Sequence, residues 1–357
     1  MSQRVLLTGH NGYIGSVMAP YLQARGHVVV GLDTGYFRGC TLGPEEDGFP
    51  CIWKDIRDID EDSLKRFDAV IHLAALSNDP MGDLDPALTA DINHIASVNL
   101  AALAKAAGVK RFLYSSSCSM YGAAGDGFAT EESPLHPLTP YAESKVKTEE
   151  GLVKLADKGF SPVYLRNATV YGFSPRLRAD IVLNNMVCWA HTTGTVKILS
   201  DGTPWRPIAH VIDIANAFAA ALEAPIEAIH NQAFNVGTNH ENYQVKDIAE
   251  IVRRTVPGCT VEIAGKNNPD PRDYRVDFSK IATQLPGFTP KWTAEMGARE
   301  LYDAYKKHGM DFETFDSRRF TRLKQLKHLL ETEELRTDLK WKRGFGEFEK
   351  EVKPWAA

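Results

Sequence analysis

The 357-residue chain is poor in cysteine: it has five, at positions 40, 51, 118, 188 and 259, with no CxxC pair and no zinc-like spacing. Scattered thiols of this kind exclude a disulfide-stapled secreted domain and a cysteine metal site, and they fit a reducing, cytoplasmic setting. A membrane-spanning apolar run is also missing, and the start, MSQRVLLTGHNGYIG, lacks the order of a signal peptide. There is no surplus of positive charge. The 41 Lys and Arg are outnumbered by 46 Asp and Glu, so neither nucleic acid nor an anionic membrane is an expected partner. Internal repeats and low-complexity segments are absent. What remains is the composition of a globular protein, long enough for one large domain and a smaller one.

Strand and helix patterns alternate through the first half. Val5-Leu6-Leu7 is a short apolar run that ends at glycines, as a buried parallel strand does. A helix is predicted from Tyr13 to Arg25, stopped by Gly26. His27 to Leu32, FDAVIHLAA, RFLYSSS and SPVYLRNATVYG read as further strands, with helices over Asp91–Ala107 and Tyr141–Lys158. This alternation predicts an α/β protein with a doubly wound parallel sheet. The first unit is expected over 1–172, with WRPIAHVIDIANAFAAALEA (within 205–232) returning to it. Residues 173–204 and 233–357, including AFNVG and DYRVDFSKI, are expected to form a smaller α/β substrate-binding domain and outer C-terminal helices. The basic tail helix in DFETFDSRRFTRLKQLKHLL reads as a solvated face or a subunit contact, and a homodimer is expected.

The chemistry begins in LLTGHNGYIG. Between a strand and a helix, Gly9 lets the chain turn, Gly12 lets a pyrophosphate approach the backbone, and Gly15 lets the elements pack closely. The helix N-terminus then offers free N–H groups to phosphate, with Tyr13 and Ile14 in the same turn. Asp33 at the end of the second strand can accept both adenosine ribose hydroxyls and repel a 2′-phosphate, which favours NAD over NADP. In PYAESK, Tyr141 and Lys145 share one helix face, and Pro140 suits the first helical turn. A free tyrosine, with a pKa of roughly 10, is a poor base. A lysine ammonium one turn away favours the phenolate, which can take an alcohol proton as hydride leaves for NAD. Ser117, at the end of the serine strand, is placed to hydrogen-bond the same oxygen.

Together TGHNGYIG, HLAAL, SSSCSMYG, YAESK and LRNATVYG resemble the extended short-chain dehydrogenase/reductase family, in its nucleotide-sugar epimerase and dehydratase branch. The resemblance spans roughly Arg4 to Asp277. It implies a Rossmann domain holding NAD and a C-terminal domain holding a nucleotide diphospho-sugar, with Ser117, Tyr141 and Lys145 catalytic. It also implies Asp55 and Ile56 beside the adenine, and Leu73, Ala74 and Ala75 along the cofactor.

A further absence sorts the branches. In the family's sugar dehydratases the catalytic hydroxyl is followed by Asp-Glu, and the related decarboxylases carry Glu at the second place. Here those places are Cys118 and Ser119, so elimination lacks its acid and base. Branches that epimerise at C3 and C5 carry a cysteine two places before the tyrosine, where this chain has Ser119. Cys118 reads as a small packed residue, with an acid/base role as the alternative. Epimerisation at C4 through a 4-keto sugar is the simplest expectation. The alternatives are a 4-keto-sugar reductase, a 3,5-epimerase and a non-catalytic NAD-binding regulator. By resemblance, substrate contacts fall to Ser117, Cys118, Ser119, Thr169 (where sugar epimerases usually carry Asn), Asn184, Asn185, Arg206 and Arg272. Arg275 is a further candidate for the diphosphate, and His210 is expected to pack. No metal is expected.

Overall fold

The computed structural model describes residues 2–44, 49–77, 85–265 and 272–345. Its main sheet has seven strands, all paired in parallel. Across the sheet they run Gln232–Val236, Ser161–Asn167, Arg111–Ser117, Ala69–His72, Arg4–Thr8, Val28–Asp33 and Cys51–Trp53. From Arg4–Thr8 the chain first builds outward to Cys51–Trp53. It then returns to the other side with Ala69–His72. The crevice beyond Thr8 and His72 is thus the switch point, where a doubly wound sheet takes its ligands.

Both faces of the sheet are covered. Val5 and Leu7 face one apolar core and Leu6 the other, as the two-residue period of a strand requires. Met18 and Leu22 of helix Gly15–Ala24 and Ile214 and Phe218 of helix Val211–Glu223 fill the first core. Leu100 and Ala104 of helix Ala96–Ala106 and Leu152 of helix Pro140–Val153 fill the second. The helix expected to begin at Asp91 begins at Pro86 and passes through a π-helical segment, Ala90–Ile95. Ser97 and Thr148 hydroxyls donate to the Asn93 carbonyl there, so the widened turn is tied to helix Pro140–Val153.

Three expectations change. SPVYLRNATVYG is two strands, because the chain leaves the main sheet at Ala168. Ser161–Asn167 stays, while Thr169–Tyr171 pairs with Trp205–His210 in a second, three-stranded sheet. AFNVG, expected with the second unit, supplies the edge strand of the main sheet: Gln232–Val236 pairs with Ser161–Asn167, and Phe234 and Val236 enter its core. The C-terminal helix Arg322–Glu331 is no solvated face. Leu326, Leu329, Leu335 and Leu339 are buried with Tyr36, Leu76 and Ile92. Gln325 Nε2 donates to Tyr36 O at 3.1 Å and Trp341 Nε1 to Thr34 O at 2.7 Å. The segment is strapped across the loops that follow Asp33. The remainder of the tail lies outside the described residues.

One buried ion pair joins helix Pro140–Val153 to the sheet. Arg166 Nε meets Glu149 Oε1 at 3.1 Å and Nη2 meets Oε2 at 2.7 Å, with both side chains 8% exposed. Arg166 Nη1 also donates to Tyr121 OH, which donates to Asn235 Oδ1. Removing one partner strands a buried charge and typically costs about 3–5 kcal/mol. Arg166→Met is therefore expected to lower the unfolding free energy by about that amount. The double change Arg166→Met with Glu149→Leu should recover most of the loss. Urea denaturation of the three proteins checks it.

Candidate active site

A cleft of about 750 Å³ opens at the carboxyl ends of the central strands. On its cofactor side it is lined by Gly9, Gly12, Tyr13, Ile14, Gly15, Asp33, Asp55, Ile56, Leu73, Ala74 and Ala75. Gly9 has φ +71°, and a Cβ there would stand 2.9 Å from Ala74 N. A Cβ on Gly15 would fall 2.2 Å from Gly9 O, so the loop folds on itself at that point. At Gly12 a Cβ would meet only Gly9 O, at 3.2 Å, which leaves the backbone open to the cleft. This cradle fits a dinucleotide pyrophosphate at a helix N-terminus. Asp33 Oδ2 accepts from Asn11 N at 3.0 Å and Oδ1 from Gly35 N at 2.8 Å. Its remaining lone pairs are available to ribose hydroxyls, so these residues would hold NAD.

The expected catalytic residues line the same cleft. Thr139 caps helix Pro140–Val153 by accepting from Ala142 N, and Pro140 takes the first turn. That start aims Tyr141 and Lys145 at the strand end. Lys145 is 3% exposed and donates to Ser115 O at 2.7 Å. Its Nζ lies 4.8 Å from the Tyr114 ring centroid and 5.5 Å from that of Tyr141. Burial pulls its pKa down to about 7, so its charge is lost as pH rises through neutrality. Ser117 caps a short 3₁₀ turn, Cys118–Tyr121: its Oγ accepts from Ser119 N at 3.1 Å and donates to Ser119 Oγ at 2.9 Å. Gly122 follows at φ +63°, where a Cβ would fall 1.9 Å from His136 O, so only glycine closes this turn.

On the substrate side Ser119, Thr169, Asn185, Arg206 and Arg272 line the cleft. Arg206 Nη1 donates to Arg272 O at 2.6 Å. Two expected residues do not reach it. Cys118 is fully buried behind the strand, with Sγ donating to Arg166 O at 3.0 Å, and burial pushes its thiol pKa up. Asn184 is a buried brace: it accepts from Gly172 N and donates to Arg178 O. Arg275 also lies outside the lining, stacked over the Phe128 and Trp205 rings. His210 packs face to face on Trp292, 3.8 Å between centroids, and bonds Glu300.

Several lining residues are not among the expected site residues, although Asn167 lies within LRNATVYG. Asn167 donates to Ser115 Oγ at 3.0 Å, while its sealed Oδ1 has no hydrogen-bond partner. Arg178, Asp180 and Arg322 line the cleft as well. Spacing could have pointed to Asn167, two residues before Thr169 on the same strand run. Arg322 lies in a tail with no motif.

Residues 5–237 match the NAD dependent epimerase/dehydratase family. UDP-glucose 4-epimerase of Mycolicibacterium smegmatis is 34% identical over 251 residues, covering 67% of this chain and 78% of that protein. UDP-glucuronic acid decarboxylase 2 of Arabidopsis thaliana is 27% identical over 304 residues, covering 82% and 66%. Among solved structures, the NAD-dependent NDP-hexosamine 5,6-dehydratase TunA superposes with a TM-score of 0.75 at 25% identity, covering 86% of this chain and 98% of that one. With the glycine cradle, Asp33 and the Tyr141–Lys145 helix around one cleft, the chain belongs to the NAD-dependent epimerase/dehydratase family of enzymes, and its cofactor is NAD.

Proposed function

We propose that the protein is a nucleotide-sugar 4-epimerase. The observation that carries this reading is the state of the carboxylates around the cleft. Among the described lining residues they are Asp33, Asp55 and Asp180. Asp33 accepts backbone amides beside the glycine loop. Asp55 is held in a bidentate pair by Arg57, and Asp180 in another by Arg178. With Cys118 buried and Ser119 bonded to Ser117, no group among the described residues near Tyr141 supplies the acid–base pair that elimination or decarboxylation uses. Burial of Cys118 also removes the thiol that a 3,5-epimerase would use.

Bound NAD supplies a reversible hydride acceptor, and the chain's residues supply the rest. Tyr141, as phenolate, takes the C4 hydroxyl proton of the sugar and later returns it. Lys145 favours that phenolate while it carries its own charge, and the phenolate in turn favours the charged lysine. Ser117 offers a hydroxyl at the floor of the site, and Asn167 braces Ser115 beside it. Arg206 and Arg272 suit a diphosphate. The free cysteines of the described chain fit a cytoplasmic location.

Incubation of the purified protein with nucleotide hexoses, followed by NMR, is expected to give the C4 epimer and no 4-keto-6-deoxy product. A keto product, or a pentose from a nucleotide uronate, would overturn the reading. With the identified substrate, Tyr141→Phe should keep the fold and NAD binding but lose on the order of 10²–10⁴-fold in turnover. Lys145→Met should also lose turnover and regain part of it at high pH, where solvent can ionise the phenol. Near-normal turnover in Tyr141→Phe would refute Tyr141 as the base.

The role of Asp33 has its own measurement. NAD should bind much more tightly than NADP, and Asp33→Ala should narrow the gap mainly by weakening NAD. Titration of both nucleotides by calorimetry decides it, and equal affinities in the wild-type protein would refute the role.

A further inference from the structure

The C-terminal helix Arg322–Glu331 brings into the cleft a cation that no motif announces. Arg322 is 3% exposed. Its guanidinium carbon lies 4.1 Å from the Phe37 ring centroid, and Nη2 donates to Arg176 O at 2.9 Å. A guanidinium has five N–H donors. Among the described residues no carboxylate stands within ion-pair distance of it. Arg322 lines the cleft, and its hydrogen bond to Arg176 O uses one of those donors.

Arg178 lines the same cleft and is 9% exposed. Nε and Nη2 hold Asp180 at 2.9 and 3.0 Å, but Nη1 has only long contacts to Ser77, at 3.4 and 3.5 Å. Arg178 acts electrostatically on Arg322, and Tyr141 acts on Arg178. Arg322 bonds the backbone of Arg176, two residues before Arg178, so the two guanidinium groups enter the cleft from adjoining segments. Burial and the Arg178 charge push the Arg322 pKa down to about 10, the sign of a cation short of counter-charge. Asp180, already in a bidentate pair, answers for both guanidinium groups.

We propose that Arg178 and Arg322 form a two-pronged seat for an oxyanion of the sugar nucleotide in the cleft. The group is a carboxylate on the sugar or a phosphate of its diphosphate. Planar guanidinium forks suit both. The C-terminal segment is then part of the binding site, and its docking and ligand binding favour each other. The proposal rests on the nucleotide-sugar reading above.

The test is calorimetric titration of NAD-loaded protein with UDP-glucose and UDP-glucuronate, using wild type, Arg322→Leu and Arg322→Lys. Arg322→Leu should lose at least about tenfold in affinity, the size of a charge-assisted hydrogen bond, and Arg322→Lys should lose less. A loss confined to UDP-glucuronate assigns the seat to a sugar carboxylate. An equal loss for both ligands assigns it to the diphosphate. Affinities within twofold of wild type, in a variant with wild-type near-UV circular dichroism, overturn the proposal. A loss confined to NAD, measured on NAD-free protein, also overturns it. If Arg322→Leu does not fold, Arg322→Lys and Arg178→Lys carry the comparison. If wild type binds neither nucleotide sugar, the reading beneath the proposal fails, and inorganic pyrophosphate becomes the probe. Pyrophosphate binding that is lost in the variants supports the seat, and no binding by wild type overturns it.

Discussion

The structure depends on how helix Pro140–Val153 is held against the strand ends. Two cations on opposite sides of that contact do it. Lys145 reaches from the helix to Ser115 O, and Arg166 reaches from the sheet to Glu149, one helical turn beyond Lys145. Neither bond is a surface convenience, since all three charged side chains are buried. A lysine taken out of water loses much of its preference for the charged form, and here it falls to about neutrality. The same burial makes the charge it keeps effective on a neighbouring phenol, because little solvent screens it. The placement of Lys145 beside Tyr141 and the hold on the helix are thus two results of one packing arrangement.

The sheet topology then fixes where this helix must act. The strands that carry Thr8, His72, Ser117 and Asn167 all end on one edge, at the reversal of strand order. His72 shows how the edge is kept rigid without charge. Its ring bonds Thr8 on one side and Ser97 on the other, both at 2.7 Å, and burial holds its pKa down to about 3. A neutral imidazole so fixed is a spacer between the first strand and the neighbouring helix.

Much of this was legible in the sequence because the signals were local. The glycine loop, Asp33, the serine strand and the Pro140–Lys145 turn each sit within a few residues, and each has a backbone or charge reason to be where it is. The parts that were not legible depend on distant partners. Nothing near Ala168 says that the strand run must split, since the split is made by pairing with Trp205–His210. AFNVG reads as a strand anywhere, and only its register with Ser161–Asn167 makes it the sheet edge. Asn184 and Asn185 are adjacent in sequence, but the helix turns Asn184 inward to brace Gly172 and leaves Asn185 on the cleft. Cys118 follows a strand end, and the 3₁₀ turn that starts there carries its side chain behind the sheet. Arg322 is far along the chain from every motif, and the apolar cluster with Tyr36 and Leu76 is what brings it back.

The charges of the cleft follow from the same placements. Asp33 sits at the end of the second strand and keeps lone pairs free, so that wall is negative and suits hydroxyl donors. Arg206 and Arg272 line the substrate side, and Arg178 and Arg322 add positive charge to the cleft, Arg322 stacked on Phe37 near the Asp33 loop and Arg178 tied to Asp180. A ribose diol is drawn to Asp33, and a 2′-phosphate on that ribose is repelled by it. Arg206 and Arg272 suit an anionic sugar nucleotide. The two ligands are therefore drawn to different parts of one cleft, which Tyr141 also lines.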